Sequence, residues 1–317
     1  MSVLARRGFS LIELMIALVL LSLVSAAVYK VLVNNQRVYL AQTQTIDLQQ
    51  NIRAGAAILP AEFRELDAAD GDITGMGPDS IRMRAMRQLA FVCNTPLLGG
   101  GVGQLSLDIR ATPMYGNRQT FNVGDSLLVY WEGNPGTRAD DIWLPAEVRS
   151  VVAGAVCADS GAAGPGTLPH QGYTLTFQPQ WINDPTRNIA SAITRGAPVR
   201  RFEKVVYRSY QAADGNWYLG QRNPAQGGTT QPVIGPLIGA DGVTFTYYDT
   251  AAVVTNVTTQ VAQIEIVLRA RTASPIRSGG TGLQTYKVDS LVTRVALRNN
   301  PRCGSGSVAP IVVYRPC

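Results

Sequence analysis

Residues Arg6-Arg7-Gly8-Phe9-Ser10-Leu11-Ile12-Glu13 run directly into an apolar stretch from Leu14 to Val28. A short basic leader meets a glycine, a phenylalanine and then an acid, all at the start of a membrane-length helix. Ordinary secretory signals are cut behind their hydrophobic region. Here the distinctive junction, Gly8–Phe9, precedes that region, so cleavage there leaves the greasy helix attached. Phe9 to Val33 suffices for one bilayer crossing at about 1.5 Å per residue. Arg6 and Arg7 keep the amino terminus in the cytoplasm, and no second run of comparable length and apolarity follows. The expected topology is a single pass with the remaining residues outside. Glu13 is the costly residue: a carboxylate near the bilayer interior costs roughly 2.5–3.5 kcal/mol, and such groups have partners.

This stretch resembles the class III signal of type IV pilins and type II secretion pseudopilins. The resemblance implies that a prepilin peptidase cuts between Gly8 and Phe9 and methylates the new amino terminus at Phe9, in the inner membrane. It also names a partner for Glu13, the amino group of Phe9 on a neighbouring, already assembled subunit. At low dielectric that attraction is far stronger than in water. An incoming subunit would find its axial register by neutralising its own acid. A protonated or snorkelling glutamate is the plain alternative. Many major pilins carry a proline in the membrane half of the helix; this chain has none before Pro60.

Downstream, Leu40, Ile46, Leu48, Ile52, Leu59, Phe63 and Leu66 recur mostly at three- and four-residue steps among polar residues, the pattern of an amphipathic helix. One helix from Ser10 to Leu66 is expected, its membrane half 9–33 and its packing half 34–66. Pro60 removes a backbone hydrogen bond near its end. From Asp67 the texture changes to short β-type runs between Gly, Pro, Asn and Asp. The expected strands are Ser80–Arg84, Leu105–Ile109, Ser126–Trp131, Ala146–Val151, Tyr173–Gln178, Arg201–Gln211, Trp217–Arg222, Val243–Asp249, Gln263–Arg271 and Tyr286–Arg298. Asp214-Gly215-Asn216 reads as a hairpin turn. The alternating runs from Val243 and Gln263 are half-buried strands able to lie on the helix. Glycine clusters at 99–101, 161–166 and 227–228 read as exposed loops.

The succession Val206-Tyr207-Arg208, Trp217-Tyr218-Leu219, Gly242-Val243-Thr244-Phe245, Ile264-Glu265-Ile266-Val267-Leu268 and Val295-Ala296-Leu297-Arg298-Asn299 resembles PilW-type minor pilins and J-type pseudopilins. Asn122-Val123-Gly124-Asp125 before an apolar strand is also similar to them. The resemblance implies an α+β pilin fold: a long amino-terminal transmembrane helix packed on an antiparallel β-sheet domain with insertions. Residues 1–8 form the leader and 67–317 the globular domain. Residues 85–195 form a longer variable region, either a separate lobe or insertions within one sheet.

Composition agrees with one anchored ectodomain. The chain has 317 residues, 46% hydrophobic and 16% charged, without the signature of disorder. The net charge of +6 falls by two when Arg6 and Arg7 leave with the leader. Four cysteines, Cys93, Cys157, Cys303 and Cys317, lack CxxC spacing, and His170 is the single histidine, so no zinc set is expected. An oxidising envelope favours disulfides. Cys303–Cys317 would close a short loop that resembles the carboxyl-terminal disulfide loop of many pilins, and Cys93–Cys157 follows as the remaining pair. Sequence alone permits three pairings.

Other motifs carry less. Asp67, Asp70 and Asp72 crowd oxygens near a helix end without EF-hand spacing, and Asp140-Asp141 reads the same way. His170 has no paired nucleophile, and neither a hydrolase elbow nor a phosphate loop occurs. No enzyme activity, metal or cofactor is expected. Arg82, Arg84 and Arg87, with Arg195, Arg200, Arg201, Tyr207 and Tyr210, offer a DNA-binding alternative; their plain reading is a solvated face. The leading expectation is a structural minor pilin that initiates or caps a type IV pilus alongside a major pilin and other minor pilins. The alternatives are a J-type pseudopilin of type II secretion and a tip adhesin or DNA-uptake receptor.

Overall fold

The computed structural model describes residues 10–98, 104–133, 136, 141–157, 170–178, 193–224, 227–277 and 283–298. Among the described residues, one α-helix, α1 (Leu11–Arg64), precedes sixteen strands. In chain order these are β1 (Ile73–Met76), β2 (Ser80–Phe91), β3 (Leu97–Leu98), β4 (Leu105–Arg110), β5 (Tyr115–Gly116), β6 (Ser126–Trp131), β7 (Ile142–Cys157) and β8 (His170–Phe177). They continue with β9 (Pro198–Gln211), β10 (Trp217–Arg222), β11 (Gln231–Leu237), β12 (Val243–Tyr248), β13 (Gln263–Arg271), β14 (Ile276–Arg277), β15 (Gln284–Thr285) and β16 (Val288–Ala296). One long apolar helix followed by a large antiparallel sheet is consistent with the α+β pilin fold.

Helix α1 is 54 residues long, about 80 Å at 1.5 Å per residue. It runs through Pro60 and stops at Arg64, two residues short of the expected end. Its first buried residue is Leu48, so the packing stripe starts later than its period suggests: Leu40 and Ile46 are 61% and 52% exposed. From Leu48 onward the helix lies on the sheet. Leu48, Ile52, Leu59 and Phe63 enter a core with Ile81, Met83, Val205, Tyr207, Leu219, Ile234, Phe245, Ile264, Ile266 and Leu268. Burying each such side chain contributes about 1.5–3 kcal/mol. Phe63 is the centre, edge-on to Tyr207 at 6.1 Å and to Phe245 at 5.9 Å. Gly55 lets the helix approach closely, since a Cβ there would lie 2.4 Å from Ile234 Cδ1 and 2.8 Å from Leu268 Cδ1.

A second core occupies the variable region. Strands β2, β9, β6, β7, β8 and β4 are successive antiparallel neighbours, and a bridge between Val92 and Ile109 returns the last to the first. The result is a small barrel. Leu105, Leu107, Ile109, Leu127, Val129, Val148, Leu175, Phe177 and Val199 fill it. The 16-residue β7 makes closure possible: Ile142–Glu147 pair with β6 and Val148–Cys157 with β8. A disulfide, Cys93–Cys157, latches the seam beside the Val92 bridge, with Cα atoms 5.2 Å apart. Cys303 and Cys317 lie outside the described residues. The variable region is therefore both an extension of one sheet and a lobe with its own interior.

Strands β2 and β9 belong to both cores. They pair from Ser80↔Arg208 to Phe91↔Pro198, with a register shift between Met86 and Gln88. Arg87 is the extra residue, and a bulge here re-aims its side chain.

Candidate functional site

The amino-terminal helix is where the sequence places function. Ser10 caps it: its hydroxyl accepts from the Glu13 amide at 3.2 Å, and the Glu13 carboxylate accepts from the Ser10 amide at 3.3 Å. This is a capping box, which satisfies two backbone donors reciprocally. The spacing Ser10-x-x-Glu13 carries its signature, but the composition of the stretch drew attention to the acid alone. Residues 11–47 contain no buried side chain, and the apolar stretch at the start of this helix is long and greasy enough to cross a membrane. Gly8 and Phe9 lie outside the described residues.

A second polar constellation sits where the two cores meet. Arg87 Nη1 donates to both Glu62 oxygens, at 2.8 and 2.9 Å, and Arg87 Nε donates to Glu203 at 3.2 Å. Arg201 Nη2 donates to the other Glu203 oxygen at 2.6 Å, and its Nε reaches Asp125 at 2.9 Å. Arg118 Nη2 completes the chain on Asp125 at 2.5 and 2.7 Å. Asp125 comes from the Asn122-Val123-Gly124-Asp125 turn, where Gly124 has φ +88°, a conformation glycine adopts without strain. Burial pushes the Asp125 carboxyl up, but hydrogen bonds from Arg118, the Asn122 amide and Arg201 outweigh it and hold the group below its ordinary value. Burial likewise lowers Arg87, and its two glutamates more than compensate, raising it.

Asp72 is the other buried acid. It accepts from the Asp67 amide at 2.9 Å and pairs with Arg84 and Arg200 at 3.2 and 3.5 Å. Burial dominates these attractions and raises its carboxyl. Arg200 also lies over Trp143 at 4.8 Å, and Arg84 over Phe202 at 5.6 Å. The arginines first grouped for DNA are thus divided: Arg84, Arg87, Arg200 and Arg201 are ion-paired, and Tyr207 is buried in the first core. Arg82 and Arg195 are exposed.

The remaining candidates scatter. Asp67 and Asp70 stay together, the Asp67 carboxylate accepting from the Asp70 amide at 3.2 Å, while Asp141 accepts from Tyr130 at 2.7 Å. Asp140 lies outside the described residues. His170 opens β8 with its backbone opposite Cys157. Among the described residues, no three His, Cys, Asp or Glu side chains converge on a metal position.

A family model described as the prokaryotic N-terminal methylation motif matches residues 4–29. No curated protein and no solved structure matches the chain. The motif supports a role like that of type IV pilins or pseudopilins and points to a structural protein rather than an enzyme. It implies processing by prepilin peptidase and assembly with other pilins. The apolar helix near the amino terminus suggests membrane anchoring as in type IV pilins.

Proposed function

We propose that the chain is a minor subunit of a type IV pilus. Prepilin peptidase cuts between Gly8 and Phe9 and methylates Phe9. The mature protein waits in the inner membrane, single-pass, with its domain in the periplasm. On extraction, the apolar half of α1 trades lipid for neighbouring helices, and Glu13 pairs with the amino group of Phe9 on the subunit before it.

The observation that carries this reading is the wholly unburied apolar half of α1, with the methylation motif at its start. A domain with two cores is bulky for a subunit that must repeat closely, which favours a few copies that initiate or cap the filament. The test is mass spectrometry of filaments sheared from cells. Peptides of this chain beginning at Phe9, beside a major pilin, support the reading. Processed protein retained in the envelope, with none in verified pili, favours a J-type pseudopilin of type II secretion instead.

A further inference from the structure

The sheet face turned away from α1 concentrates positive charge around one residue. Along β9, Val205 and Tyr207 point into the first core, so Lys204, Val206 and Arg208 point outward. Arg82 on β2 lies directly opposite Val206 on one side, and Arg222 on β10 directly opposite it on the other. Neighbouring strands are about 4.8 Å apart, and alternate residues about 6.8 Å. Val206 is therefore ringed at close range by Arg82, Arg222, Lys204 and Arg208. All four are exposed, and among the described residues none forms an ion pair with a carboxylate. Some surface arginines elsewhere are matched with acids, as in Arg294–Glu265 and Arg298–Glu65, and others, such as Arg53 and Arg195, are exposed singly; around Val206 four cations gather on one face. An open groove of about 420 Å³ runs over the site, lined by three of these arginines with Asp79 and Ser80 among the others. Asp79 offsets one charge and leaves the site strongly cationic.

We propose that this outer face binds single-stranded nucleic acid. An open groove with cations spread along and across it suits a polyanion that passes through, engaging several phosphates at once; guanidinium groups suit phosphate geometry. Tyr210, the next outward residue after Arg208, is half-buried, and a Cβ on Gly220 would lie 2.5 Å from its ring. The ring thus lies on the sheet as a platform on which a base can stack. Membrane phosphates are out of reach, because these strands pack beside Leu59 and Phe63, about 40 Å along the helix from Val33. The proposal goes beyond the filament reading and holds for a pilus or a secretion pseudopilus.

The test is fluorescence anisotropy of a labelled oligothymidylate with the full chain in detergent micelles. Binding should weaken with salt at a log–log slope of about −2 to −3, as three or four phosphate contacts on a single strand require. Combined Arg82→Gln, Arg208→Gln and Arg222→Gln should weaken binding at least tenfold at low salt, with an unchanged melting temperature because all three are exposed. Tyr210→Ala should weaken oligothymidylate but not inorganic polyphosphate. Absence of binding by the parent chain at low salt, or a triple variant that binds like the parent, overturns the proposal. So does equal weakening of both probes by Tyr210→Ala. Polyglutamate competing as well as the oligonucleotide would assign the face to an acidic protein partner instead.

Discussion

Glu62, in the last turn of α1, holds Nη1 of Arg87 with both carboxylate oxygens, and Arg87 is the one residue bulged from β2 between the two cores. The helix is thereby fixed to the junction of core and barrel by a partly buried charge pair. Glu62→Ala and Arg87→Ala should each destabilise the protein, and a double-mutant cycle should return about 1–2 kcal/mol of coupling between them. Denaturant titration of the four proteins measures it. Additive effects would show that the pair contributes nothing beyond its separate surroundings.

Glu13→Ala should abolish incorporation into filaments while leaving processing and membrane insertion intact. Ser10→Ala separates the two roles of the acid, because it removes half of the capping box at a cost of about 1 kcal/mol but keeps the carboxylate. Filament recovery should therefore survive in Ser10→Ala and fail in Glu13→Ala. Normal assembly of the Glu13 variant would refute the pairing with Phe9.

Cys93 and Cys157 close a loop with a sequence separation of 64, for which chain entropy gives about 4 kcal/mol. Replacing both with serine should lower stability by up to that amount. Hydrogen exchange should accelerate first in β4, β7 and β8, whose seam loses its latch, and later in the strands under α1. Uniform acceleration would mean that the two cores unfold as one unit.

Asp125 provides a pH test. Its folded value lies below the unfolded value near 3.9, so its ionised form stabilises the fold above about pH 4. That contribution is lost as pH falls through the folded value. Asp72, raised by burial, acts oppositely: its contribution is present below the unfolded value and is lost as pH rises through the folded one. Asp125→Asn should flatten the acid-side fall in stability, measured by denaturation between about pH 2 and pH 5. An unaltered profile would remove Asp125 as a source of acid sensitivity.

Gly55→Leu should push α1 off the sheet, because even a Cβ meets Ile234 and Leu268. A cost of about 1–3 kcal/mol is expected from overpacking, read from the denaturation midpoint.

Three strands were legible residue for residue, β13 from its strict alternation and β6 and β10 from short apolar and aromatic runs between turn residues. Strand β11 was missed because Pro232, Gly235 and Pro236 disguise it, and β1 because four residues with a glycine give little period. The extra length of β2 was hidden by its bulge, where the alternation shifts by one. At the site, Glu13 was readable because an acid in an apolar run stands out locally, whereas its capping box with Ser10 emerged only from the structure. The chain from Glu62 through Arg87, Glu203 and Arg201 to Asp125 joins distant segments, and no spacing reveals it. For the same reason, arginines adjacent in sequence proved to lie in different networks, whereas the cations around Val206 come from three strands.

Two strands common to both cores also settle how the protein bears a sideways push. A lobe hung on a linker would swing and dissipate it. Here β2 and β9 run without interruption from the barrel to the strands beneath α1, and Glu62 and Phe63 grip them from the helix. The barrel is the free end of a lever whose fulcrum is that last turn, so torque applied to it is delivered to the helix axis.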